Sequence, residues 1–167
     1  LYIAAEDIGT TPDDVATILR ETKYVVGLAS DKSSGNPCPY TAWGTFKGIQ
    51  SVMKQLNGTD SLKGKKIAIQ GLGGVGMKLA EYLFWHGAEL VVTDISEEKK
   101  QEAVKKYGAK AVGLNEIFSV SCDLFSPCAM GGIINDDTIP QLDCLGIAGC
   151  ANNQLLKDSH GDLLKQR

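Results

Sequence analysis

Apolar positions along this 167-residue chain change rhythm near residue 58. Before it they recur every three to four residues; after it, short continuous runs alternate with amphipathic stretches. Val15, Ile18, Leu19, Thr22, Val25 and Val26 predict a helix over residues 13–28, with Thr11-Pro12-Asp13 as its N-terminal cap. Trp43, Phe46, Ile49, Val52, Met53 and Leu56 predict a second helix over residues 41–56, ended by Asn57-Gly58. Between them, residues 30–39 are rich in Ser, Gly, Asn and Pro and read as a loop. In the second part, Lys66–Gln70 and Glu89–Thr93 predict strands, and residues 75–85 and the charged Glu97–Tyr107 predict helices. Apolar runs at 122–125 and 144–148 read as further strands of the same sheet, and residues 161–167 as a helical end. Strands alternating with helices at this spacing pair in parallel, with the helices covering both faces. The fold class is therefore α/β, a doubly wound, mostly parallel sheet.

Composition narrows the partners. Hydrophobic residues make up 43% and charged residues 22%, as in a globular domain with a short appendage. The net charge of −3 and the interruption of the lysine-rich stretches at 63–66 and 99–106 argue against a nucleic-acid surface. No apolar run reaches the ~18 residues of a membrane span, and no signal segment opens the chain. A cytoplasmic location is expected. The five cysteines (Cys38, Cys122, Cys128, Cys144, Cys150) form no C-x-x-C pair, so reduced, packed thiols are expected rather than a zinc site or a disulfide framework.

The chemistry begins at Gly71-Leu72-Gly73-Gly74-Val75-Gly76. A G-x-G-x-x-G run is a weak signal alone; here a predicted strand precedes it and a predicted helix follows. Gly71 would permit the turn off the strand, Gly73 the approach of a pyrophosphate, and Gly76 close helix–strand packing. Phosphates would then meet the free N–H groups of a helix N-terminus. Asp94 ends the next strand, 94 − 71 = 23 positions beyond the first glycine, near the ~20 at which an acid binds ribose hydroxyls. Its carboxylate would repel a 2'-phosphate, and neither Ile95 nor Ser96 offers a compensating cation, so NAD is expected over NADP. The fold is thus expected to be Rossmann-like.

Three further stretches carry a family resemblance: Glu6-Asp7-Ile8-Gly9-Thr10-Thr11-Pro12-Asp13-Asp14, residues 126–136 around Pro127-Cys128-Ala129-Met130-Gly131-Gly132, and Ala148-Gly149-Cys150-Ala151-Asn152-Asn153-Gln154-Leu155. With the glycine turn, they make the chain similar to the leucine, phenylalanine and valine dehydrogenases of the glutamate-dehydrogenase-like superfamily. The resemblance implies NAD-dependent oxidative deamination of an L-amino acid to a 2-oxo acid and ammonia, in a homo-oligomer. It implies that Asp7 shuttles protons and that Asn152 contacts substrate and cofactor. It also places Thr41 near the nicotinamide carboxamide. The loop Pro127 to Gly132, with Cys128 and Ala129, follows a strand's C-terminal end, where its backbone is expected to border the nicotinamide ribose. Read from the residues alone, Asp7 is equally a helix-capping acid and Thr41 a helix N-cap, and Cys128 packs. Asn153 reads as a loop residue, His86 as a helix-end residue and His160 as a surface residue without a catalytic partner.

The family's two active-site lysines belong to a glycine-rich segment upstream of the E-D-I-G-T-T motif. Residues 1–30 are therefore expected to be the hinge-side edge of a substrate domain with its linking helix, and residues 31–167 an NAD-binding domain incomplete at its C-terminus. A piece without those lysines is expected to lack turnover. Leucine is the first expected substrate, from Ile8-Gly9-Thr10-Thr11 and Ile134-Asn135-Asp136; phenylalanine, valine and a non-catalytic NAD-binding sensor module are the alternatives.

Overall fold

A computed structural model describes residues 2–7, 9–30 and 33–167. The expectations that fall on Ile8, and on Asp31 and Lys32 of the predicted loop, lie outside the described residues. The chain divides into two compact units, Leu1–Tyr40 and Thr41–Arg167.

In the first unit, α1 (Pro12–Glu21) starts at Thr11, whose hydroxyl accepts from Asp14 N (3.3 Å) while the Asp14 carboxylate accepts from Thr11 N (2.8 Å). This reciprocal cap satisfies two end donors, and those Thr11 hydrogen bonds hold the Asp14 carboxyl below its ordinary value. The helix stops well before the expected residue 28. Thr22 is already extended (φ −151°, ψ 143°), and Val25 forms a parallel bridge with Ala4. Thr22, Val25 and Val26 are β-branched and gain more from an extended backbone with a strand partner than from helix. β1 (Ala29–Ser30) and β2 (Ser33–Ser34) pair antiparallel, the pairing reaching from Ala29 into the stretch 30–39 expected as loop.

Next comes α2 (Cys38–Asn57), three residues earlier than expected, because a proline at 39 is tolerated in a first turn where its missing N–H costs nothing. Thr41 is consequently inside the helix rather than its N-cap. Then follow β3 (Lys66–Gln70), α3 (Gly74–Trp85), β4 (Glu89–Thr93), α4 (Glu97–Tyr107), β5 (Lys110–Ala111), β6 (Cys122–Pro127), β7 (Cys144–Ile147) and α5 (Ser159–Lys165). All five sheet strands run parallel in the order β5-β4-β3-β6-β7. The direction of progress reverses at β3, which has β4 on one side and β6 on the other; ligands bind at such a switch point, beyond the carboxyl ends of the strands.

Alternation along β3 splits the core. Ile67 and Ile69 join Phe46, Ile49 and Met53 of α2, Leu79 and Leu83 of α3 and Ala103 of α4. Ala68 faces the other way, toward Ile117, Phe118, Phe125, Ile134, Ile139 and Leu142, with Leu164 of α5 packed against them. Short 3-10 turns at Glu116–Ser119 and Ile139–Gln141 supply much of that second layer. The expected doubly wound α/β architecture is the one observed.

Candidate functional site

Three of the four glycines in the strand-to-helix turn divide into two kinds. Gly71 sits at φ +100°, and a Cβ there would come within 2.7 Å of Ala129 Cβ. Gly76 is in the first turn of α3, where a Cβ would lie 2.0 Å from the Gly71 carbonyl oxygen. Both are demanded by the fold itself. At Gly73, by contrast, a Cβ would meet nothing within 4 Å, and this residue caps α3 with no side-chain hydrogen bond. The leading N–H groups of α3 therefore have no capping side chain to satisfy them, and the space beside Gly73 is open. That arrangement suits an anion.

Asp94 lies just past β4 and is tied to this turn. Its Oδ2 accepts from Leu72 N at 2.6 Å, and its Oδ1 from Ser96 N at 2.8 Å. A carboxylate oxygen has two acceptor sites, so each still has one to offer a ribose hydroxyl. Ser96 Oγ accepts from Lys99 N and starts α4, while the Ile95 side chain is 91% exposed. Neither supplies a cation. These residues fit a dinucleotide that ends in a free ribose rather than a phosphorylated one.

Two more loops nest against the turn. Cys128 N donates to Gln70 O at 2.7 Å, bringing Cys128 and Ala129 over Gly71. After β7, Ala151 N donates to Pro127 O, and a Cβ on Gly149 would be only 2.1 Å from that same oxygen. A Cβ on Gly131 would be 2.6 Å from Asn152 O. Gln154 Nε2 closes the second loop on Gly149 O (2.8 Å), and Asn153 takes the left-handed region (φ 48°), as the short polar side chain of Asn allows. Thus residues 71–76, Cys128, Ala129 and the exposed Asn152 gather at the carboxyl end of the sheet. Exposed Thr41 lies next to Ala42, which shares a core cluster with Leu72. Asp7 belongs to the first unit; its backbone is fixed in a turn in which Asp7 N donates to Thr10 Oγ1 (2.8 Å) and Thr10 Oγ1 to Asp7 O (2.7 Å).

Some features were invisible in the sequence. The Cys128 sulfur accepts hydrogen bonds from the thiol and the backbone N–H of Cys150, and Ser126 Oγ stands 3.4 Å away. The Cys150 contact in particular holds the Cys128 thiol below its ordinary value, against its burial. The two cysteines are 22 positions apart, and only the similarity of the Pro127-Cys128-Ala129 and Gly149-Cys150-Ala151 turns hints at their meeting. His160 is not the expected surface residue. It is 1% exposed, with Nδ1 accepting from Lys157 N (3.1 Å) and Nε2 at 3.2 Å from Asp136 Oδ1. Its imidazole is drawn in because it links two segments that pair at Ile134 and Leu155. His86 is the C-cap of α3, as expected.

Residues 42–141 match the family model described as the NAD binding domain of D-isomer specific 2-hydroxyacid dehydrogenases. The chain is 51% identical to a leucine dehydrogenase of Bacillus cereus over 99% of its own length and 45% of that protein's. It is 44% identical to a phenylalanine dehydrogenase of Thermoactinomyces intermedius, covering 99% of the chain and 46% of the relative. Among solved structures, the L-tryptophan dehydrogenase of Nostoc punctiforme superposes with a TM-score of 0.81 at 42% identity, over 98% of this chain and 46% of that one. The chain thus spans about half the length of the curated relatives it matches.

Proposed function

Because this chain belongs to the NAD-binding domain family of the D-isomer specific 2-hydroxyacid dehydrogenases, and its relatives over nearly its whole length are amino-acid dehydrogenases, we propose that the protein deaminates a branched-chain L-amino acid oxidatively, leucine first. The observation that carries this reading is the 51% identity to a leucine dehydrogenase over 166 residues. When bound, NAD supplies the acceptor for the hydride that leaves the α-carbon; water then turns the resulting imine into a 2-oxo acid and ammonia.

The chain's own residues bind and orient. The N–H groups that open α3 hold the pyrophosphate and Asp94 holds the adenosine ribose. Cys128 and Ala129 border the nicotinamide ribose, and Thr41 offers its hydroxyl to the carboxamide. Asn152 can donate its amide N–H to a substrate carboxylate. Asp7 is assigned to proton transfer, as a carboxylate within reach of a lysine contributed elsewhere in the whole protein. Residues 1–30 form the hinge side of a substrate domain, residues 31–167 the cofactor domain, and the protein works in the cytoplasm as a homo-oligomer.

An activity screen of the whole protein tests this. Following NADH formation with leucine, valine, phenylalanine and tryptophan, the expected result is highest kcat/KM for leucine. A preference for aromatic substrates would shift the assignment toward the phenylalanine and tryptophan enzymes, which are 43–44% identical. Turnover of 2-hydroxy acids but of no amino acid would overturn it, and NAD binding without any turnover would make the protein a sensor.

A further inference from the structure

We propose that Cys128 and Cys150 form a peroxide-sensitive dithiol, a reversible modification site that ties the loop after β6 to the loop after β7 and weakens NAD binding when oxidised. The two thiols already meet through a hydrogen bond from Cys150 to the Cys128 sulfur. Their backbones are held side by side: Ala151 N donates to Pro127 O (3.0 Å), and Gly149 lies against Pro127 with no room even for a methyl group. Both residues are partly exposed, while the Cys128 thiol itself is turned inward and buried.

The environment selects Cys128 as the attacking sulfur. Cys150 donates to it twice, and Ser126 Oγ lies within reach, so its thiolate is stabilised despite burial. The other cysteine pair is an internal contrast. Cys122 and Cys144 sit in register on β6 and β7, but burial pushes the Cys122 thiol up to about 12 and raises Cys144 as well. Those two stay protonated and inert at neutral pH.

The oxidant is a hydroperoxide. Cys128 thiolate attacks one peroxide oxygen; an S–O bond forms, the O–O bond breaks, and the departing hydroxide takes a proton to become water. The Cys150 sulfur then attacks the Cys128 sulfenic sulfur. An S–S bond forms, the S–O bond breaks, and hydroxide leaves as water with the proton of the Cys150 thiol. Two thiols lose two electrons and one hydrogen peroxide becomes two waters.

Closing the disulfide draws Cys128 toward the loop after β7. Cys128 and Ala129 have no slack against the turn: a Cβ on Gly71 would stand 2.7 Å from Ala129 Cβ and one on Gly76 would be 3.4 Å from Cys128 Cβ. The shift is therefore passed to the phosphate-binding backbone. This consequence rests on the reading of that turn as the NAD site, whereas formation of the disulfide does not.

The test treats the reduced 167-residue chain with hydrogen peroxide, alkylates the remaining thiols and maps peptides by mass, with NAD titrated before and after. The expected result is one linked Cys128–Cys150 peptide, reversed by dithiothreitol, and a fall in NAD affinity of at least about tenfold. In Cys150→Ser, the reduced chain binds NAD normally, no linked peptide forms, and dimedone traps a sulfenic acid on Cys128. No linked peptide in the parent chain, or a Cys122–Cys144 link in its place, overturns the proposal. A linked chain that binds NAD as tightly as the reduced one overturns its coupling to the cofactor. If the reduced chain fails to bind NAD at all, the cofactor assignment falls while the mapped disulfide stands.

Discussion

The two ends of one parallel sheet are built on opposite principles. At the amino end, side chains close the structure: Lys65 Nζ pairs with Asp123 Oδ1 at 3.2 Å, and Lys66 N donates to Asp123 Oδ2 at 2.8 Å. At the carboxyl end the side chains are withdrawn. Glycines at 71, 76, 131 and 149 let three loops pack closely on one another, Gly73 leaves open space, and the opening N–H groups of α3 lack a capping side chain. The same strands thus end in saturation on one side and in unspent hydrogen-bonding capacity on the other. That surplus is what a ligand can use.

The glycines offer the hardest test of this contrast. Gly76→Ala sets a methyl group against the Gly71 carbonyl, so the expected result is loss of NAD binding together with a fall in Tm of roughly 10 °C, by calorimetry, from an overpacking cost of about 3 kcal/mol. Gly73→Ala separates binding from stability. Its methyl group meets no protein atom within 4 Å, so Tm should hold while NAD affinity falls at least about tenfold by calorimetric titration, since the lost room belongs to the phosphates. A Tm loss equal to that of Gly76→Ala would erase the distinction between the two glycines.

At the amino end the effect is smaller and reversed in kind. Asp123→Asn weakens a partly buried ion pair and one hydrogen bond to a backbone N–H. The expected cost is about 1–2 kcal/mol in urea unfolding, with NAD affinity unchanged. Smallest is the acid limb of the second unit. Hydrogen bonds from Lys157 and His160 hold the Asp136 carboxyl below its ordinary value of 3.8. A folded-state value below the unfolded one means that stability is present above the unfolded value and lost as pH falls through the folded one. Asp136→Asn should therefore lower Tm slightly at neutral pH, with the difference from the parent chain closing as pH falls below about 4.

The sheet was legible where local signals agreed. β3, β4 and α4 begin and end where the residue pattern places them; α4 carries both a serine N-cap at Ser96 and a left-handed glycine C-cap at Gly108 (φ 61°). Asp94 was readable by its distance from Gly71. What failed was long-range or context-dependent. The end of α1 was lost because Val25 and Val26 fit a helical period as well as a strand, and only Ala4, twenty-one positions back, decides between them. The two-residue β5 is too short to leave a pattern. The burial of His160 and the meeting of Cys128 with Cys150 depend on loops that come together only when β6 and β7 pair.

The central claim is that the carboxyl end holds NAD, with the charge of Asp94 excluding a 2'-phosphate. The most direct measurement is the ratio of NADP to NAD dissociation constants for the parent chain and for Asp94→Asn, which retains an acceptor oxygen but removes the charge. The expected parent ratio is about one hundred or more, from a like-charge penalty of several kcal/mol, collapsing toward one in the variant. A ratio near one in the parent, or one that Asp94→Asn leaves unchanged, would contradict the account.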